Sequence, residues 1–307
     1  MESAQIPALS LESPAADFAE AIGQSFRRYG FAVVSDHGID ANLIAEAWEL
    51  TAALFARPEA EKRQWFDPAL AGARGYTPFG REIAKGADRH DLKEFWHVGR
   101  EGGEADGLPA NIWPDGWQRF RKVFTALYAS FDQAGLRILS RIALHLGLTE
   151  DWFNPVAGGG NSVLRLLHYP PVPQAPQGAI RAGAHEDINL ITLLLGAEEA
   201  GLELLCSDGS WLAIDPPPGA LVINIGDMLQ RLTNHVLPST THRVRNPDGE
   251  RAGFSRYSMP FFLHPRSDFL IGTLPSCISA DKPDRYAESI TAGDYLAERL
   301  REIGLST

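Results

Sequence analysis

The chain has 307 residues, 44% of them apolar and 22% charged, a balance that supports a sizeable core in a globular fold. Its 39 acidic residues against 28 Lys and Arg give a formal charge of −11, which argues against the basic surfaces that nucleic acids and anionic membranes require. No run approaches 18 uninterrupted apolar residues. The opening MESAQIPALSLESPAADFAE lacks the basic-then-apolar order of a signal peptide. Cys206 and Cys277 stand far apart in no metal or redox spacing, so the sequence predicts free thiols and a cytoplasmic location.

Apolar residues Phe18, Ile22 and Phe26 recur at helical spacing over Ala15 to Arg28. GFAVVSDHGID then switches to a strand and turn, with Gly30 and Gly38 as punctuation. Asp40 is placed to cap a helix through Leu43, Ala47, Leu50 and Leu54 that stops near Pro58. From Asp67 to Asp115 the chain is rich in glycine and charge without a clear period, which predicts long loops and short hairpins around a site. Trp117 to Leu148 carries a long stripe of Phe120, Phe124, Leu127, Phe131, Ile138, Ile142 and Leu146, the pattern of one long amphipathic helix. After the glycines at 158–160 come short strand-like runs: SVLRLLHY, INLITLLL, LELLC, ALVIN, TTHRVR and RYSMPFFLH. A last helix is expected from about Asp294, capped by Thr291. Helices first and last with an all-β block between predict a mainly β fold, a double-stranded β-helix (jelly-roll) core with an N-terminal helical scaffold. As a single domain over 1–307, it divides into a scaffold with pocket-shaping loops (1–155), a catalytic core (156–275) and a C-terminal helix (276–307).

One segment carries a chemical puzzle. RAGAHEDINLITLLL sets His185, Glu186 and Asp187 directly against an aliphatic run, and burying such groups costs free energy unless something pairs them. On a strand, residues two apart share a face, so His185 and Asp187 point together while Glu186 points away. A third leg is expected from a strand lying across the barrel. His242 in STTHRVRNP is the candidate, and His235 in RLTNHVLPS, after a helix-like turn, is the weaker choice. Two histidines and one carboxylate leave three positions of an octahedral ion open, which suits non-haem Fe(II) that activates O2. A buried Asp–His hydrogen bond explains the same pair without metal. In FSRYSMPFF, Arg256 and Ser258 share a strand face, and an inward guanidinium needs an anionic partner from protein or ligand. A solvated arginine on an edge strand is the plainer alternative.

Together these motifs resemble the isopenicillin N synthase-like family of iron- and 2-oxoglutarate-dependent oxygenases. The resemblance runs over nearly the whole chain: YGFAVVSDHGI, GYTPFGRE, DLKEFWHVG, NIWP, LLHYPPVP, AHEDINLITLLL, GDMLQRLTNHVLPSTTHRV and RYSMPFF. His-x-Asp, a gap of about 55 residues to His-Arg-Val, then Arg-x-Ser is a specific combination. The resemblance implies that His185, Asp187 and His242 are iron ligands and that Arg256 and Ser258 clamp the distal carboxylate of 2-oxoglutarate. Tyr169 falls where relatives offer a tyrosine hydroxyl to the cosubstrate. Leu167 stands where many relatives carry a cosubstrate-contacting asparagine, and Glu186 where Thr or Ser is common. The implied activity couples oxidative decarboxylation of 2-oxoglutarate, with O2, to hydroxylation or desaturation of a small molecule. Two alternatives stay open on the sequence: an oxidase of the family that dispenses with 2-oxoglutarate, and a non-catalytic small-molecule binding protein on the same barrel. Phe79, Arg81, Trp96 and His97 fall in the segment that in relatives shapes the substrate side, though packing within the loops is the favoured reading of each. His168 faces opposite to Tyr169. Arg165 and Arg243 read as ion-pair partners, and Asp91, Lys93 and Glu94 as a salt-bridged turn.

Overall fold

The structure, a computed structural model, describes residues 6–70, 72–81, 91–102, 108–171, 181–196, 201–246, 252–286 and 288–302. The N-terminal part contains β1 (Ala8–Ser10), α1 (Ala15–Tyr29), β2 (Phe31–Ser35), α2 (Ala41–Phe55), α3 (Glu59–Lys62), β3 (Gly75–Thr77), β4 (Glu94–Gly99), α4 (Gln118–His145) and α5 (Asn154–Ala157). The β-rich block follows with β5 (Val163–Tyr169), β6 (Ala182–His185), β7 (Ile191–Leu195), β8 (Leu202–Leu205), β9 (Trp211–Ala213), β10 (Leu221–Ile225), α6 (Asp227–Leu232), β11 (His242–Val244) and β12 (Arg256–Leu263). The chain closes with β13 (Leu270–Ile271), β14 (Ile290–Thr291) and α7 (Ala292–Glu302).

Local chemistry sets the helix ends. Gly30 terminates α1 in the left-handed region at φ 67°, and its N–H returns to the Phe26 carbonyl. The Asp40 carboxylate caps α2 by accepting from the Asn42 and Leu43 N–H groups at 2.7 and 3.0 Å. Thr291 Oγ1 accepts from the Asp294 N–H at 3.1 Å at the start of α7. No helix among the described residues is long and apolar enough to cross a membrane.

The strands form an eight-stranded sheet in the order β1-β2-β10-β7-β12-β5-β4-β3 and a four-stranded sheet in the order β6-β11-β8-β9. Alternation sorts side chains onto the two faces of the larger sheet. Phe31, Val33, Val222, Leu167, Tyr169 and Phe95 point inward and pack with Ala182, Leu202, Leu204 and Val244 of the smaller sheet. The opposite face packs on helices α1, α2 and α4 in the main core. There Phe131 of α4 stacks on Phe261 of β12 with centroids 5.4 Å apart. Gly135 permits this approach, because a Cβ at that position would lie 2.2 Å from Leu263 Cδ1. This is the jelly roll with helices on one face that the sequence predicts, and each of the six strand-like runs forms a strand.

The segment from Asp67 to Asp115 holds the expected short antiparallel pair, β3 with β4, but is less open than a loop region: every residue of the six-residue β4 is buried. EFWHVG places Glu94 and His97 among aromatics, which hides the strand in the sequence; inside the protein both polar groups are satisfied. Glu94 accepts from Lys62 Nζ at 2.7 Å, from His168 Nδ1–H at 2.7 Å and from the Tyr76 hydroxyl. The part before residue 155 thus supplies β1, β2, β3 and β4 to the larger sheet as well as the helices that cover it.

Candidate metal centre

HED does not stand at the mouth of a single strand. β6 ends at His185, and Glu186 to Leu190 cross from the smaller sheet to β7 of the larger one. Nor does His242 lie across the barrel. It opens β11, the antiparallel neighbour of β6, and its Cα partner in the register is His185. This pairing tightens the grouping, because adjacent antiparallel strands bring directly opposed side chains within contact distance. His185 Nε2 lies 3.8 Å from Asp187 Oδ1, and His242 Nε2 lies 4.0 Å from Asp187 Oδ2. One candidate ligand atom from each of the three residues falls within 4.8 Å of the others.

Each side chain is oriented from behind. His185 Nδ1 donates to the Gly183 carbonyl at 2.7 Å, and His242 Nδ1 donates to the Thr240 carbonyl at 3.1 Å. A carbonyl can only accept, so both protons sit on Nδ1 and both Nε2 atoms face the shared space. The His185 side chain is 37% exposed. Surrounding protein desolvates it and the His242 imidazole adds to the effect, holding His185 down at about 4. It is therefore neutral at pH 7, the state a metal ligand needs.

The carboxylate of Asp187 is tethered at one oxygen. Oδ2 accepts from Thr192 Oγ1 at 2.5 Å and from Asn224 Nδ2 at 2.8 Å, and Asn189 Nδ2 donates to the Thr192 hydroxyl at 2.8 Å. Burial alone would raise the Asp187 carboxyl. The two imidazoles and these hydrogen bonds outweigh it and hold the group below the usual aspartate range. The backbone is stapled as well: the Asp227, Met228 and Gly226 N–H groups donate to the carbonyls of Asp187, Asn189 and Leu190. Gly226 must be glycine here, since a Cβ would sit 2.3 Å from the Asn189 carbonyl oxygen. Thr192 and Asn224 stand outside the His-x-Asp and His-Arg-Val pattern; their one signal in the sequence is that each is a polar residue at an inward position of an otherwise apolar strand.

Arg256, Ser258 and Tyr169 occupy one inner region of the larger sheet. Arg256 pairs in register with Tyr169, and Ser258 pairs with Leu167. The Arg256 guanidinium lies 5.1 Å from the Tyr169 ring centroid, and all three side chains are buried. Arg256 thus belongs to a central strand and not to a solvated edge. Leu167 sits beside Ser258 and Phe95, so the position where relatives carry an amide is apolar here.

The remaining candidates separate by face. Trp96 is fully buried in the helix-side core, while Phe79 and Arg81 are exposed, with Arg81 5.3 Å from the Phe66 ring centroid. His97 faces the barrel interior, donates from Nδ1 to the Gly72 carbonyl at 2.6 Å and accepts from Arg165 Nε at 2.6 Å. Arg165 lies 4.1 Å and 5.2 Å from the rings of Phe95 and Phe262, so it is part of the inner wall. Arg243 is the ion-pair partner expected, donating to Glu203 at 2.8 Å. His168 faces the helices with Glu94, His235 bonds the Tyr286 hydroxyl, and Glu186 accepts from Thr241 Oγ1 at 2.7 Å. Glu82 of GYTPFGRE and Val172 and Pro173 of LLHYPPVP lie outside the described residues.

Two imidazole nitrogens and a carboxylate oxygen facing one space form a donor set that fits a divalent first-row ion with open positions. Comparison with known proteins gives the same direction. A family model described as "2OG-Fe(II) oxygenase superfamily" matches residues 160–265, and one described as "non-haem dioxygenase in morphine synthesis N-terminal" matches residues 6–116. The proline hydroxylase buaE of Petromyces alliaceus is 32% identical, covering 92% of each chain. A solved 2OG-Fe(II) oxygenase family protein from Caulobacter crescentus superposes with TM-score 0.90 at 54% identity, over 98% of this chain and 99% of the other. A full-length Neurospora crassa protein, solved in complex with α-KG, superposes with TM-score 0.87 at 29% identity over 98% and 97%, and a further complex of it also holds thymine. Matches of this length and identity, on a chain whose barrel groups these three donors, lead to one conclusion: the protein belongs to the 2OG-Fe(II) oxygenase superfamily and is an Fe(II)- and 2-oxoglutarate-dependent oxygenase.

Proposed function

We propose that His185, Asp187 and His242 hold Fe(II), that Arg256 and Ser258 hold the far carboxylate of 2-oxoglutarate with the Tyr169 hydroxyl also on the cosubstrate, and that the enzyme hydroxylates or desaturates a small molecule inside the barrel. The convergence of the two Nε2 atoms and the Asp187 carboxylate carries this reading. When bound, the iron and cosubstrate supply the family's chemistry, in which 2-oxoglutarate decarboxylation with O2 drives oxidation of a substrate C–H bond.

The protein's own part is placement. The Gly183 and Thr240 carbonyls fix the tautomers of the two histidines, and Thr192 with Asn224 leaves Asp187 Oδ1 as the oxygen free to ligate. Arg256 offers an always-charged planar fork, suited to a carboxylate in two-point contact, with the Ser258 hydroxyl beside it on the same face. Phe95, Leu167 and the smaller sheet's Leu204 and Val244 exclude water from the space between the sheets, which strengthens those contacts. A small substrate is supported by the thymine complex of the Neurospora protein. A cytoplasmic setting is supported by Cys206 and Cys277, both free thiols.

The test is turnover with a panel of small molecules in the presence of Fe(II), 2-oxoglutarate and O2, reading succinate and product mass. Succinate formed in step with a product that gains one oxygen or loses two hydrogens supports the reading. No consumption of 2-oxoglutarate under any condition, with iron bound, would refute the cosubstrate assignment.

A further inference from the structure

The segment Asp91-Leu92-Lys93-Glu94 forms more than a salt-bridged turn, because its side chains serve two different faces. Glu94 points to the helix side and joins Lys62, Tyr76 and His168. Asp91 and Lys93 pair with each other, Nζ to Oδ2 at 2.9 Å, with side chains only 7% and 9% exposed. The other oxygen of Asp91 does something separate: Oδ1 accepts the backbone N–H of Gly183 at 3.0 Å.

Gly183 lies in β6, which is four residues long and stands at the edge of its sheet, with β11 as its one neighbour among the described residues. The pairing to β11 is irregular there, since the register slips between His242 and Val244. A short edge strand with a glycine at this point has a backbone that is costly to hold still. The same Gly183 accepts, through its carbonyl, the Nδ1 proton of His185 at 2.7 Å. A continuous chain of contacts therefore runs from Lys93 to Asp91, through the Gly183 backbone from its N–H to its carbonyl, to the imidazole.

We propose that Asp91 is a positioning residue for the metal ligand His185: its carboxylate takes the Gly183 N–H on the outer side of the edge strand, fixes that backbone, and so aims the carbonyl that orients the imidazole. Lys93 holds the carboxylate in direction through its other oxygen. The inference rests on the assignment of His185 to the metal. It goes beyond it by assigning to a residue from the N-terminal half, 94 positions earlier in the chain, a task in building the metal site.

The experiment is an anaerobic titration of the full-length apo-protein with Co(II), whose visible bands report coordination geometry, together with thermal melts. Asp91→Ala is expected to weaken Co(II) binding about 10- to 100-fold, the range for loss of a partner behind a ligand, and to alter the bands. Asp91→Asn keeps the volume if alanine does not fold. Its neutral oxygen is the weaker acceptor and loses the Lys93 pair, so a several-fold loss of affinity is expected. Arg100→Ala serves as control, since it removes a partly buried ion pair with Asp132 elsewhere and should lower Tm without touching Co(II) affinity. Wild-type Co(II) affinity and spectrum in the Asp91 variants, whatever their Tm, would overturn the proposal. A wild-type chain that binds no Co(II) overturns the metal assignment itself, and this inference with it.

Discussion

His185 and His242 face one another in register across β6 and β11, with ring centroids 4.4 Å apart and planes inclined by 51°. Two of the three donors therefore come from one strand pair, and the third, Asp187, comes from the connection that carries the chain to the other sheet. The site depends on three things: the pairing of β6 with β11, the groups behind Asp187, and the staple at Gly226.

His242→Ala should abolish tight metal binding, whereas His235→Ala should leave it unchanged. His235 sits at φ 61° and bonds Tyr286 at the surface, away from the donor set. Isothermal titration of the two apo-variants with Co(II) checks this pair directly. Equal losses in both would break the assignment of His242.

Thr192→Val and Asn224→Leu should each weaken metal binding about 10- to 100-fold, because each removes a hydrogen bond that keeps Asp187 Oδ2 occupied and Oδ1 directed. The double variant should lose less than the product of the two, since both act on one oxygen. Strict additivity in metal affinity would argue that they act separately.

Gly226→Ala should lower stability by about 1–3 kcal/mol through overpacking against Asn189. The damage falls on the backbone that carries Asp187, so metal affinity should fall with Tm. A variant with wild-type Tm would show that this junction yields more easily than its geometry implies.

The buried Glu94 predicts a pH dependence. Burial by itself would raise this carboxyl, but hydrogen bonds from His168, Lys62 and Tyr76 outweigh it and leave it below its ordinary value. A carboxyl lowered by folding stabilises the protein above its unfolded value of about 4.3, and that contribution disappears as pH falls through the folded value. Wild type should therefore lose stability below about pH 4. Glu94→Gln leaves Lys62 buried without its anion, so it should cost about 3–5 kcal/mol at pH 7 and melt with a shallower acid dependence. Identical acid slopes for the two would contradict the role given to Glu94.

Much of the fold could be read from periodicity alone. The stripe from Phe120 to Leu146 and the aliphatic runs INLITLLL and ALVIN carry one strong signal each. β4 was hidden because Glu94 and His97 are polar and their partners, Lys62 and Arg165, lie 32 and 68 residues away. That His185, Asp187 and His242 would come together was expected from residue type and spacing joined to the family resemblance, and the structure does group them. Their arrangement was not legible, since nothing in STTHRVRNP says which strand β11 will adjoin. Asp91 read as a turn residue because its second partner is a backbone N–H in another sheet, a contact that no side-chain pattern records.

The most direct test of the account is an anaerobic titration of apo-protein with Fe(II) and then 2-oxoglutarate, followed by visible absorbance. The account predicts a weak charge-transfer band that needs both additions, is lost in His242→Ala, and in Arg256→Leu requires far more 2-oxoglutarate to appear. Stoichiometric iron binding with no band at saturating 2-oxoglutarate, or a band that Arg256→Leu forms as readily as wild type, would contradict it.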